Sequence, residues 1–125
     1  MAGIKIQSFT DLVAWKEGHQ IVLLTYKITS AFPSKESYAL SDQMRRCCVS
    51  ITSNIAEGFS RRSSKEKTQF YYVSLGSITE LQNQLVVSRD LRYLSKEEFS
   101  KIADQTILVQ KLVNGLIKSL RTLDT

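Results

Sequence analysis

Pro33 is the single proline in 125 residues, and only five glycines accompany it. Such a chain has few places to turn sharply. A β-sandwich or barrel needs a turn signal roughly every eight to twelve residues, so this sequence calls for a few long elements, and those are helices. Its length gives room for one core, and residues 1–125 are expected to form one domain. A hydrophobic share of 42% with 23% charged residues is ordinary for a globular chain and gives no sign of disorder.

The breaks that do exist divide the chain into four helical segments. The first runs from about Thr10 to Ala31 and stops before Phe32-Pro33, because proline disfavours helical geometry in the residue before it. The second runs from Leu40 or Ser41 to Gly58, where a glycine can take the left-handed conformation that ends a helix. Ser63 and Glu66 have capping-box spacing and start the third, which ends near Arg92. Ser95 and Glu98 repeat that spacing and start the fourth, which reaches about Leu123. Short connections force neighbouring helices to turn back on one another. The expected fold is all-α, an up-down-up-down antiparallel four-helix bundle.

Apolar periodicity supports this and suggests self-association. Helix four carries Phe99, Ile102, Val109, Val113, Leu116 and Leu120 on one face, and helix two carries Met44, Cys47, Ile51 and Ile55. Helix three turns Phe70, Ile78, Leu81 and Leu85 inward, with Val73, Val87 and Leu91 elsewhere. Helix one has two stripes: Leu12, Trp15, His19, Val22 and Tyr26, and nearly opposite them Val13, Ile21, Leu24, Ile28 and Ala31. A core buries one of these, so Val13, Ile21, Leu24 and Ile28 are expected to meet a neighbouring subunit.

Catalysis finds little support. The single histidine, His19, sits on an apolar stripe one turn after Trp15, as a core or interface residue does. Two cysteines and one histidine are too few for a structural zinc site and lack the Glu-x-x-His pairs of a di-iron bundle. No nucleotide-binding glycine loop occurs. No catalytic residue, metal or cofactor is expected. The N-terminus lacks the apolar stretch of a signal peptide, and Ile21 to Leu24 falls far short of a membrane span. Adjacent Cys47 and Cys48 project roughly 100° apart on a helix and cannot bond each other without disrupting it. Free thiols and no export signal point to the cytoplasm.

Three features bear on binding. Asn54 and Glu57 stand one turn apart at the margin of helix two, where they are expected to tie it to its neighbours. Gly76 inside helix three costs about 1 kcal/mol against alanine, which close approach of another helix would explain. In an up-down bundle the connection after helix two lies at the same end as both termini. That end gathers Lys5, Arg61, Arg62, Lys65, Lys67, Lys118 and Arg121, opposed by Glu66, Asp124 and Glu57. Arg61, Arg62, Lys65, Lys67, Lys118 and Arg121 are therefore the candidate contacts to nucleic acid, in a chain with a net charge of +5.

Several separated motifs also carry a resemblance. They are Phe9-x-x-Leu12-x-x-Trp15, Phe32-Pro33-x-x-Glu36-x-Tyr38-x-Leu40-x-x-Gln43, the run from Arg46 to Gly58 with its Ser53-Asn54-Ile55-Ala56-Glu57-Gly58, and Gly76-Ser77-x-x-Glu80-Leu81. In this order they resemble the 23S rRNA intervening-sequence proteins, a bacterial family. Cys47-Cys48 departs from its pattern, which has small residues such as alanine there. The resemblance implies a four-helix bundle that assembles as a pentamer, with no established enzymatic activity. Related proteins serve as basic accessory subunits beside the reverse transcriptases of diversity-generating retroelements. Two functions follow as expectations: a non-enzymatic oligomer that binds RNA or DNA through its basic end, or a scaffold whose partner is another protein.

Overall fold

The computed structural model describes residues 5–36 and 39–123. A 3-10 turn at Phe9–Asp11 precedes α1 (Val13–Thr29), and a second at Ser34–Glu36 precedes α2 (Leu40–Ser60). Two more helices follow, α3 (Ser64–Asp90) and α4 (Lys96–Leu123), and no strand occurs among the described residues. Each helix packs against the next, and α4 closes the arrangement against α1. The expected four-helix bundle is what forms. None of its described helices is long and apolar enough to cross a membrane.

The helix starts follow the capping chemistry. At α4 both halves of the box form: the Glu98 N–H donates to Ser95 Oγ at 3.1 Å, and the Ser95 N–H to Glu98 Oε1 at 2.8 Å. At α3 the Glu66 N–H donates to Ser63 Oγ at 3.1 Å. Helix one starts later than its pattern suggests. Ser8 and Asp11 cap the short 3-10 turn, and Leu12 is extended at φ −71°, ψ 131° before α1 begins at Val13.

The helix ends correct the reading of Gly58. No glycine among the described residues has positive φ, and α2 runs through Gly58 to Ser60. Gly58 is needed for space instead: a Cβ there would lie 2.5 Å from Cε1 of Tyr71. The left-handed residue is Arg92, at φ 63°. It ends α3 in a Schellman turn, with the Tyr93 N–H on the Ser88 carbonyl and the Arg92 N–H on that of Arg89, both at 2.9 Å.

The core is a stack of Ile21, Ile28, Met44, Ile51, Ile55, Ile78, Leu81, Leu85, Ile102, Val109 and Val113, closed at one end by Phe32 and Leu94. Two stripe assignments change. Ile21 and Ile28, expected at a subunit interface, are 0% and 5% exposed and belong to the core of the single chain. They share that face with the small or hydroxyl-bearing Ala14, Gly18, Thr25 and Thr29. The core line of α1 therefore runs between the two stripes and takes Ile21 and Ile28 from the second. Gly18 marks the close approach of α1 to α2, since its Cβ would stand 3.1 Å from Thr52 Cγ2. Gly76, by contrast, has nothing within 4 Å, so no helix of this chain accounts for it. On α3 the buried aromatic is Tyr71, and Phe70 is only half-buried.

Candidate nucleic-acid interface

The end where α2 hands over to α3 is built by three cations that serve the fold as well as the surface. After Ser60 the backbone straightens at Arg61 (φ −76°, ψ 155°) and re-enters a helix at Ser64. The Arg61 guanidinium pairs with Glu57 Oε2 at 3.0 Å and lies over the Phe70 ring, 4.7 Å from its centroid. Lys67 Nζ donates to the Phe59 carbonyl at 2.7 Å and reaches that of Gly58 at 3.4 Å. It thereby caps the carbonyl end of α2, where a positive charge is favoured. On the other side, Arg121 in the last turn of α4 donates to Tyr72 Oη on α3 at 3.0 Å.

These contacts bring the candidate residues to one end of the bundle. Arg62, Lys65, Lys118 and Arg121 are exposed there, as is Arg61, while Lys67 is half-buried in its capping role. Asp124, expected to oppose them, lies outside the described residues. Glu57 is engaged by Arg61 across an exposed pair, with side chains 53% and 41% accessible. The Ser63 hydroxyl uses one first-turn N–H of α3 and leaves those of Ser64 and Lys65 without an intrahelical acceptor. Phe59 and Phe70 lie under Lys67 and Arg61. Sequence spacing gave no signal for the Arg121–Tyr72 contact, whose partners are 49 residues apart.

Asn54 and Glu57 do not tie α2 directly to another helix. Asn54 Nδ2 donates within its own helix, to the Ser50 carbonyl at 2.8 Å and to Ser50 Oγ at 3.1 Å. The link to α3 is made by polar atoms of neighbouring residues: Ser50 and Ser77 hydroxyls 2.9 Å apart, Ser74 Oγ on the Ile51 carbonyl at 2.9 Å, and Cys47 Sγ on the Ser77 carbonyl at 3.0 Å.

Both thiols are buried. Burial, with Glu80 nearby, raises the Cys47 thiol far above its ordinary range, and burial raises Cys48 to about 11. Neither thiol is poised for nucleophilic chemistry. His19 stacks on Trp15, ring centroids 4.9 Å apart. Among the described residues no group of His, Cys, Asp and Glu side chains could hold a metal ion. Of the four interface candidates, Val13 is 59% exposed and Leu24 half-buried. Both line shallow grooves between α1 and α4, Val13 with Leu112 and Gly115, and Leu24 with Ile102.

The fold matches a 1.70 Å crystal structure of a protein of unknown function from the S23 ribosomal protein family of Bacteroides thetaiotaomicron VPI-5482. The TM-score is 0.78 at 19% identity, over 85% of this chain and 96% of that one. A search of curated proteins finds no match. The family model described as 23S rRNA-intervening sequence protein matches residues 10–115, a span from the 3-10 turn before α1 well into α4. With most of its length so matched and the bundle in place, the chain belongs to the 23S rRNA-intervening sequence protein family.

Proposed function

We propose that this chain is a non-enzymatic, oligomeric bundle that binds RNA or DNA through the end where α2 meets α3. The observation that supports the reading best is the exposure of Arg61, Arg62 and Lys65 around the start of α3, with Arg121 and Lys118 on the neighbouring helix. Cations and first-turn N–H groups together favour phosphate. The nearby rings of Phe59 and Phe70 lie under cations and so are less available for base stacking. Contact is therefore led by phosphate and only weakly selective for sequence. The protein works in the cytoplasm, where its thiols stay reduced.

Self-association uses the α1–α4 face, where Val13 and Leu108 are exposed beside half-buried Leu24 and Leu112. The family resemblance suggests five copies, and a ring would repeat the basic end and multiply weak contacts by avidity. The test is binding of single-stranded RNA and duplex DNA across a salt series by Arg61→Gln/Arg62→Gln/Lys65→Gln, with Lys67 kept because it caps α2. The triple variant should bind more weakly, with a salt slope flattened by roughly 0.7–0.9 per lost phosphate contact. Wild-type-like binding by it would refute the location. No binding by the wild type at low salt would favour the second reading, a protein scaffold, to which the exposed Leu23, Tyr26 and Val49 also lend support.

A further inference from the structure

Arg45, on the outer face of the α1–α2 seam, is held on two sides and has no counterion among the described residues. Its Nε donates to Thr29 Oγ1 at 3.0 Å, and that hydroxyl is itself fixed by donating to the Thr25 carbonyl at 2.7 Å. Its guanidinium lies over the Tyr26 ring, 5.2 Å from the centroid. Two residues of α1 thus fix the plane of an arginine on α2. Clamping the helices together accounts for the Nε bond and the stacking. It leaves the forked Nη pair, an edge that can take a carboxylate in two parallel bonds, with no acceptor among the described residues. Arg46, next along α2, is exposed and makes no ion pair either; the pairs among the described residues are Glu57–Arg61 and Arg89–Asp90. Asp42, a turn away, offsets one of the two charges and leaves one cation in excess.

The surface beside Arg45 is apolar. A shallow groove of about 570 Å³ is lined by Tyr26, Asp42, Arg45, Arg46 and Val49. Tyr26 is 46% exposed and Val49 39%, and Leu23, a turn before Tyr26 on the same side of α1, is 51% exposed. Val49 follows Arg45 by four residues and Arg46 by three, so cations and aliphatic surface lie one turn apart, roughly 5–6 Å. This combination selects an occupant. The excess charge calls for an anion, and the fork fits carboxylate or phosphate. The aliphatic side chains decide between them. A nucleic acid would bring bases, and the one ring lining the groove, Tyr26, has the Arg45 guanidinium over it. A polypeptide helix brings a carboxylate and aliphatic side chains a turn apart on one face.

We propose that the α1–α2 face docks an acidic amphipathic helix of a partner polypeptide. A carboxylate of that helix takes the Nη pair of Arg45, with Arg46 beside it, and aliphatic side chains a turn away cover Leu23, Tyr26 and Val49. The site supplies a partner chemistry for the scaffold reading. It lies roughly three turns of α2 before Arg61 and stands whether or not the basic end binds nucleic acid.

The test is an NMR titration of the full chain at about 0.15 M salt, where distant charges are screened, following the Arg45 Nε–H and the backbone amides of Leu23, Tyr26 and Val49. The probe is the peptide acetyl-AELLEELLEELLA-amide. Its counterparts carry glutamine for every glutamate or serine for every leucine, and a single-stranded RNA oligonucleotide is the competing probe. The acidic peptide should shift the four signals saturably, each counterpart should bind roughly tenfold more weakly, and the RNA should leave the signals unmoved. Arg45→Lys keeps the charge and loses the fork, and should weaken the peptide roughly tenfold. Should that variant fail to fold, the exposed Arg46→Gln and Val49→Ser carry the test, each expected to weaken it roughly threefold. Arg61→Gln/Arg62→Gln/Lys65→Gln should bind the peptide as the wild type does. Absence of saturable shifts, equal binding of either counterpart, wild-type-like binding by the variants at the face, weaker binding by the variant at the basic end, or RNA shifts at these signals would each overturn the proposal. So would a smaller oligomer in Arg46→Gln/Val49→Ser, which would give the face to a second copy of the chain.

Discussion

The α2–α3 and α1–α4 seams are built on different principles. Between α2 and α3, four hydroxyls, a thiol and the Lys67 ammonium bond across the seam, and Tyr71 lies over the bare backbone of Gly58. Between α1 and α4, Gln105 Nε2 donates to the Glu17 carbonyl at 2.9 Å and to Glu17 Oε1 at 3.0 Å. Elsewhere aliphatic side chains carry the contact, and the seam opens into shallow grooves at Leu24, rimmed by Lys27, Glu97, Glu98 and Lys101, and at Val13. Directional bonds fix register, because a slipped helix leaves buried donors and carbonyls unmatched. Aliphatic contacts are non-directional and tolerate sliding. One seam locks the bundle, and the other leaves surface available for association.

The largest effect should come from emptying the locked seam. Tyr71→Ala is expected to cost about 3–5 kcal/mol, as large core aromatics do, and Leu112→Ala on the other seam clearly less. Equal losses in urea denaturation would erase the contrast. The two seams should next give opposite signs for one substitution. Gly58→Ala drives a Cβ into Tyr71 and should destabilise through overpacking of about 1–3 kcal/mol, less the gain of about 1 kcal/mol from helix propensity. Adding Tyr71→Leu should restore stability. Gly115→Ala meets open space and should stabilise by up to about 1 kcal/mol.

Charging the open seam tests it differently. Val13→Lys with Leu108→Lys should shift the chain to smaller species in sedimentation, with its helix content and monomer stability nearly unchanged. A wild type that sediments as a monomer at micromolar concentration would remove association from the picture. The smallest effect near neutrality concerns the two buried thiols, Cys47 in the locked seam and Cys48 beside Thr25 of α1. Their folded values lie above the ordinary 9.0, so the stability they contribute is complete below pH 9 and is lost as pH rises toward 11, where Cys48 titrates. The melting temperature should fall over that window, and Cys48→Ala should fall less steeply than the wild type. A parallel fall in both would remove the thiol from the account.

Much of the fold was legible in the sequence because its signals are local. Pro33, the Ser63 and Ser95 caps and the 3.6-residue stripes of α2 and α4 each act within a turn or two. The errors share one cause. Ala14, Gly18, Thr25 and Ser74 are buried between the helices, and small or hydroxyl-bearing residues carry no weight in a hydrophobic count. That omission moved Ile21 and Ile28 out of the core and put Phe70 in the place of Tyr71. Gly58 was misread for a related reason: local spacing shows that a glycine is required without showing whether φ or a neighbouring ring requires it. At the basic end the cations were visible by type. Their partners, Tyr72 for Arg121 and the Phe59 carbonyl for Lys67, depend on the packing of separate helices.

The stack of Trp15 on His19 has a practical consequence. They are the sole tryptophan and the sole histidine of the chain, with ring planes 11° apart and centroids 4.9 Å apart. Tryptophan emission from the native protein therefore reports on one place, the first turns of α1. The molecule carries its own optical gauge of whether that end of the bundle is assembled, with no label added.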